Sequence, residues 1–234
     1  MEKILVFGAS GAIGGAIAAT ASERGWEVVA TSRRLRSVVD DPVQWISVDP
    51  FAQDFTADEL KRNGPYSAVC WAQGSNGSDN VFDVDLDANM EMYRSNCLFI
   101  LATLKVLLQH QMLAPGSRLC VLSSIWQQRA RQNKLSYCMT KAALQGLVLS
   151  AATDLASDGH LINAVLPGAL DTPMTHANLS NVQLQRLVSA TGFQRLASLN
   201  DVASLVLYLC SRENGGVTGQ FITSDMGFSN VRLI

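Results

Sequence analysis

The sequence predicts an α/β fold, a doubly wound parallel sheet of about seven strands flanked by helices. Three observations predict it. Short apolar runs alternate with helical patterns along all 234 residues, the order that a parallel sheet with crossover helices requires. Several of the runs, such as Leu119-Cys120-Val121-Leu122, are apolar without interruption, as strands covered on both faces must be. A glycine-rich turn, Gly8 to Gly14, joins the first run to an alanine-rich stretch, which gives the fold a Rossmann-like opening.

Each element follows in order. The first strand is 3–7, where Ile4-Leu5-Val6-Phe7 runs straight into Gly8-Ala9-Ser10-Gly11-Ala12-Ile13-Gly14. Gly8 can take a backbone angle closed to other residues, Gly11 lets the main chain approach a pyrophosphate, and Gly14 lets helix and strand pack closely. The amino terminus of the helix that follows offers unpaired N–H groups to phosphates. Further strands are expected at 26–31, 44–48, 67–71, 117–122, 161–166 and 220–224. Thr56 with Glu59 reads as a capping box, and Asn200 as the cap before Asp201-Val202-Ala203. Long helices are expected from about Ala88 to Met112 and from Ser136 to Ser157, with a mobile helical flap over Met174 to Thr191.

The second strand bears on the choice of dinucleotide. A carboxylate about 20 residues beyond the glycine turn would bind the ribose 2′-hydroxyl of NAD. Here the chain reads Thr31-Ser32-Arg33-Arg34, with no acid until Asp40. A serine and two guanidiniums suit a 2′-phosphate, so NADP(H) is favoured over NAD(H); a solvated basic loop is the plainer alternative.

Composition narrows the function classes. A hydrophobic content of 48% is ample for a sizeable core, and no linker, charge block or repeat divides the chain, so 1–234 is read as one dinucleotide-binding and catalytic domain. The net charge of −2, from 18 basic and 20 acidic residues, gives no electrostatic case for nucleic acid or an anionic membrane as partner. Five cysteines without a CxxC pair read as buried thiols in a reducing compartment, and a cytoplasmic location is expected. No signal-peptide core precedes the glycine turn. The longest apolar run, Cys97 to Leu108, carries Thr103 and Lys105 and is too short to span a bilayer. No metal-ligand spacing occurs, and His176 reads as a surface histidine.

The chemistry is expected where the fifth strand ends. Ser124 falls at the carboxyl edge of the sheet, where ligands of open α/β sheets bind. Tyr137 and Lys141 then project from one face of a helix, about 6 Å apart along its axis. An ammonium near a phenol holds its pKa below the ordinary value of about 10, which makes Tyr137 a usable acid or base.

With these residues in place the chain resembles the short-chain dehydrogenase/reductase family, in its shorter single-domain branch, over essentially its whole length. The likeness rests on Gly8 to Gly14, Asp49, Asn96, Ser124-Tyr137-Lys141, Asn163 through Pro167-Gly168, Asp171-Thr172-Pro173-Met174, and Val217 to Gln220 with Asp225. It implies a cofactor site made by Gly8, Ser10, Gly11, Ile13, Gly14, Ser32, Arg33, Arg34, Asp49, Gly74, Tyr137, Lys141, Pro167, Gly168 and Thr172, with Asp49 at the adenine and Thr172 at the nicotinamide carboxamide. It further implies that Ser124 binds the substrate carbonyl, Tyr137 protonates it, Lys141 holds the ribose, and Asn96 supports a water-borne proton relay through Lys141. The partner implied is a small carbonyl or alcohol substrate, and the two long helices, apolar over more than one face, imply a homodimer or homotetramer.

The chain departs from the family pattern in four places. Phe7 stands where a threonine is usual, Ala12 replaces the middle glycine of the commoner spacing, Trp71-Ala72-Gln73-Gly74 replaces Asn-Asn-Ala-Gly, and Asp225-Met226-Gly227 replaces a double glycine. Arg129 and Arg131, between the serine and the tyrosine, can bind an anionic substrate group or be ordinary solvated arginines. Two other classes share part of the pattern: a non-catalytic dinucleotide sensor, and a redox-neutral epimerase or dehydratase of the same superfamily.

Overall fold

The computed structural model describes residues 2–33 and 42–231. Arg34 and Asp40 lie outside the described residues. Seven parallel strands form one sheet: β1 (Lys3–Phe7), β2 (Glu27–Ser32), β3 (Gln44–Ser47), β4 (Tyr66–Trp71), β5 (Leu113–Leu122), β6 (Leu161–Pro167) and β7 (Phe221–Ser224), in the order β3-β2-β1-β4-β5-β6-β7. The order reverses between β1 and β4. That switch point opens a crevice at the carboxyl ends of the strands, the ligand-binding position of such sheets.

The helices are α1 (Ala12–Glu23), α2 (Asp58–Asn63), α3 (Leu86–Tyr93), α4 (Phe99–Gln109), α5 (Leu135–Asp154), α6 (Pro173–Asn178), α7 (Asn181–Ser189) and α8 (Leu199–Cys210). They cover both faces of the sheet, and the two-residue period of the strands sorts the core into two layers. Leu5, Phe7, Val69, Trp71, Leu119 and Val121 face one way, toward Ile100, Leu104 and Leu107 of α4 and Leu144 and Val148 of α5. Ile4, Val6, Ala68, Cys70, Cys120 and Leu122 face the other, toward Ile17, Ala18 and Ala21 of α1 and Val202, Val206 and Leu207 of α8. Each fully buried aliphatic side chain contributes roughly 1.5–3 kcal/mol.

The departures from the sequence-based expectations are local. The Thr56–Glu59 capping box does not form: α2 starts after Ala57 with no side-chain cap, and Glu59 pairs with Arg62 instead at 2.5 Å. The cap of α8 is Ser198, in a reciprocal box with Asp201, and not Asn200. The strand expected at 117 already begins at Leu113. Pro115 and Gly116 sit in a register shift against β4, with Gly116 at φ +65°. The long helix expected from Ala88 is interrupted by a π-helical turn over Arg94–Leu98. The flap region is helical, as α6 and α7.

Candidate active site and nucleotide cleft

The glycine turn builds one wall of the crevice. Gly8 adopts φ +75°, and a Cβ there would stand 2.5 Å from the Gln73 backbone nitrogen. A Cβ on Gly14 would overlap the Gly8 carbonyl oxygen. Both positions therefore exclude side chains, for different reasons: Gly8 lets β1 approach the segment after β4, and Gly14 seats α1 on the turn. Gly11 is the N-cap of α1 and makes no side-chain cap, and the first turn carries no acid. Its N–H groups remain an anion-binding end.

A cleft of about 470 Å³ adjoins this turn and brings together Gly8, Ser10, Gly11, Ser32, Arg33, Asp49 and Gly74. Ile13 is not on its wall; it packs into the apolar layer beneath. The Asp49 carboxylate accepts the Phe51 N–H at 3.1 Å, fixing the turn after β3. The cleft also holds residues not singled out as site residues from the sequence, among them Phe51, Glu91, Arg94 and Phe99, and it holds Gln73 of the departing Trp71-Ala72-Gln73-Gly74 segment. The Arg94 guanidinium lies 4.5 Å over the Phe51 ring. Both amide atoms of Gln73 are buried and have no hydrogen-bond partner among the described residues, which leaves a donor and an acceptor to be satisfied beside the cleft. Its position in the segment after β4 was the available signal.

The reactive groups converge beyond β5. Ser124 is the N-cap of a short 3₁₀ turn over Ile125–Gln127, and its Oγ accepts the Trp126 N–H at 3.3 Å. The Tyr137 phenol lies close enough to this hydroxyl for Ser124 to favour its ionised form. Tyr137 and Lys141 lie one turn apart in α5, and Lys141 Nζ sits 5.6 Å from the centre of the Tyr137 ring. Lys141 is buried and donates to the Leu122 carbonyl at 2.9 Å. Burial pulls its pKa down to about 8, and the Cys97 thiol opposes that shift.

The Tyr137 pKa runs against expectation. Burial raises it by desolvating the phenolate, the Ser124 hydroxyl offsets only part of the rise, and the neighbouring Cys138 thiol adds to it. In this state Tyr137 is a neutral phenol that can donate a proton.

Asn96 lies within the π-helical turn. Its Oδ1 accepts the Ser75 N–H at 2.7 Å, and its Nδ2 donates to the Ser75 carbonyl and to Thr140 Oγ1, each at 3.0 Å. A Cβ on Gly74 would stand 2.9 Å from Asn96 Oδ1 and 3.9 Å from Lys141 Nζ, so the three residues are neighbours. Turns of this kind recur at functional sites. Pro167 ends β6, and Gly168 donates to the Ser224 carbonyl at 3.0 Å, where a Cβ would meet Asp225 at 2.6 Å. Thr172 caps α6 by accepting the Thr175 N–H at 3.2 Å. Asp225, in place of a glycine, accepts the Gly227 and Ser229 N–H groups at 3.0 and 2.8 Å and shapes the turn after β7.

Arg129 bonds the Ser229 carbonyl and, at 3.2 Å, Asn230 Oδ1. Its guanidinium thus ties the loop after Ser124 to the carboxyl-terminal segment, while Arg131 is exposed. His176 is exposed and pairs with Asp171 at 2.7 Å. Among the described residues no group of His, Cys, Asp and Glu side chains could hold a metal ion.

The comparisons with known proteins agree with this geometry. A family profile described as enoyl-(acyl carrier protein) reductase matches residues 8–229. The chain is 26% identical to an uncharacterized oxidoreductase, YmfI, of Bacillus subtilis, over 97% of this chain and 98% of that one. It is 27% identical to the 3-oxoacyl-[acyl-carrier-protein] reductase FabG of Rickettsia felis, over 95% of each. The solved aldohexose dehydrogenase of Thermoplasma acidophilum superposes with a TM-score of 0.88 at 23% identity, covering 100% of this chain and 96% of that one. At that identity the likeness concerns the fold.

Proposed function

The chain belongs to the short-chain dehydrogenase/reductase family, oxidoreductases that use a nicotinamide dinucleotide on small-molecule substrates, and we propose that it transfers hydride between NADP(H) and a carbonyl or alcohol. The observation that carries this reading is the convergence of the Ser124 hydroxyl, the Tyr137 phenol and buried Lys141, one helical turn from the tyrosine, beyond the end of β5. The dinucleotide fits the residues present: the cradle at Gly8 and Gly14 admits no Cβ, the α1 amino terminus is uncapped, and Gln73 presents an unsatisfied amide.

Gly8, Ser10, Gly11, Gly14 and Gly74 would hold the pyrophosphate and ribose side, Asp49 the adenine, and Lys141, Pro167, Gly168 and Thr172 the nicotinamide end, with Ile13 supporting the turn. Ser32 and Arg33 line the cleft and would donate to a 2′-phosphate, which supports NADP(H) over NAD(H). When bound, the nicotinamide supplies hydride to a carbonyl carbon or takes it from an alcohol. Ser124 Oγ would orient the substrate oxygen. Tyr137 Oη would give that oxygen its proton in reduction and take it back in oxidation. Lys141 would return the proton to the phenolate, with Asn96 supporting the water path beside it.

The free cysteines support a reducing, cytoplasmic setting. The exposed apolar side chains of α4 and α5 support a homodimer or homotetramer. Among the described residues no helix is long and apolar enough to cross a membrane.

A panel of 3-oxo esters, ketones and aldoses, followed by NADPH absorbance, tests the reading. The expected result is turnover with a higher kcat/KM for NADPH than for NADH. Tyr137→Phe should keep NADPH binding and lose roughly 10²–10⁴ in kcat. Near wild-type kcat in Tyr137→Phe would overturn the acid/base role, and equal or better use of NADH would overturn the cofactor preference.

A further inference from the structure

We infer that Asp79, in the loop after β4, is a positioning residue that fixes the first turn of α5 and so aims the Tyr137 phenol. The inference rests on the acid/base reading of Tyr137 proposed above. Tyr137 is the third residue of α5, within the turn whose amides have no acceptor inside the helix. The N-cap position is Lys134, whose side chain makes no capping bond. Catalytic geometry is thus required of a helix end that carries no cap of its own.

Asp79 supplies the missing acceptors from a distant segment. Its Oδ1 accepts the Ser136 N–H at 3.0 Å, its Oδ2 accepts the Ser136 hydroxyl, and its carbonyl accepts the Leu135 N–H at 3.3 Å. Asn89 of α3 donates to the same Ser136 hydroxyl at 2.7 Å. Ser136 is fully buried, so water cannot replace the carboxylate there. A negative group at a helix amino terminus is also favoured by the aligned peptide dipoles.

The loop leading to Asp79 is held at two points before it. Lys134 Nζ donates to Asn76 Oδ1 at 3.0 Å and to the Gly77 carbonyl at 2.7 Å. Asn96 grips Ser75 through both atoms of its amide and reaches Thr140 in α5. The segment that begins at Gly74 on the nucleotide cleft therefore ends as the cap of the catalytic helix. Loss of that cap frays the turn, admits water to Tyr137, and moves the phenol away from Ser124 Oγ.

Two substitutions separate geometry from charge. Asp79→Asn keeps an oxygen at the Ser136 N–H and drops the charge; Asp79→Glu keeps the charge and displaces the oxygens by one methylene. Tyr137 ionisation is read in the nucleotide-free protein by ultraviolet phenolate absorbance, with Tyr137→Phe as the subtraction reference; burial sets it first, then the Ser124 hydroxyl and the Cys138 thiol, and the Lys141 ammonium is the charged group beside the ring. Asp79→Glu should move that ionisation downward, toward free tyrosine, as burial relaxes. It should also lower kcat for ethyl acetoacetate with NADPH by roughly tenfold, the scale of a lost cap, while KM for NADPH stays put. Asp79→Asn, which keeps the acceptor for the Ser136 N–H but turns an NH2 toward the buried Ser136 hydroxyl, should move both in the same directions by clearly less. Wild-type titration and turnover in Asp79→Glu, or equal losses in the two variants, would overturn the inference. The titration needs no turnover, so it judges Asp79 even if the reductase reading fails.

Discussion

Lys141 brings an ammonium into a place without water, and the consequence is a defined pH dependence of stability. Its folded pKa, about 8, lies below the ordinary lysine value of 10.5. Between those two values the unfolded chain binds a proton that the folded chain does not, so this group's contribution to stability rises with pH across the window. The shift is worth about 3 kcal/mol. Tyr137 and Cys97 act with the opposite sign: burial raises both, Cys97 to about 11. Their contributions are present at low pH and are lost as pH rises through the raised values. Comparison with Lys141→Met isolates the lysine. In urea unfolding of the nucleotide-free protein, the variant's stability relative to wild type should fall by roughly 2–3 kcal/mol between about pH 8 and about pH 10. A pH-independent difference would mean that the ammonium is solvated after all.

At the scale of elements, two departures from the family pattern turn out to be one contact. Phe7 and Trp71 are register partners on β1 and β4, and their rings stack at 5.8 Å and 13°. Phe99 meets Phe7 edge-on at 5.6 Å, and Trp71 Nε1 donates to Thr103 Oγ1 at 2.8 Å, so the pair ties the switch-point strands to α4. Such stacks contribute roughly 0.5–1.5 kcal/mol beyond area burial. A double-mutant cycle with Phe7→Leu and Trp71→Leu should therefore show coupling of roughly that size in thermal or urea unfolding, and additive effects would refute it. The sequence showed each residue as an isolated anomaly, because cross-strand register is set by tertiary pairing. Strand positions were legible for the opposite reason: an apolar run flanked by turns carries its own signal, and all seven lie within a few residues of expectation. Caps were read less well. Ser198, Asn200 and Thr56 are chemically similar candidates, and backbone geometry alone chooses among them. The cap of α5 could not be read locally at all, since Asp79 lies 57 residues from Ser136; only the absence of a capping residue at Lys134 hinted at it. The direction of the Tyr137 shift was hidden likewise, because burial is a property of the assembled site.

At the scale of the whole molecule, the sheet is buried on both faces, yet the outer faces of α4 and α5 remain apolar. Leu98, at the end of the π-helical turn, and Leu101 and Leu108 of α4 recur at helical spacing, with Leu101 54% exposed. On α5 the exposed row is Met139, Ala142, Gly146 and Leu149, small residues between two large apolar ones. Scattered exposed apolar residues are ordinary, but rows of them on neighbouring helices mark a contact surface. Gly146 offers a clean probe, because a Cβ there meets nothing within 4 Å and the helix itself gains from its replacement. Gly146→Glu should therefore leave the melting temperature of the isolated chain unchanged or higher, while a carboxylate forced against the apolar partner face would cost several kcal/mol, on the order expected for a buried unpaired charge. Light scattering at micromolar concentration should find wild type as a dimer or tetramer and Gly146→Glu as a monomer. A monomeric wild-type protein would show that these rows face solvent in the working state, and a Gly146→Glu variant that still associates would place the contact on another face.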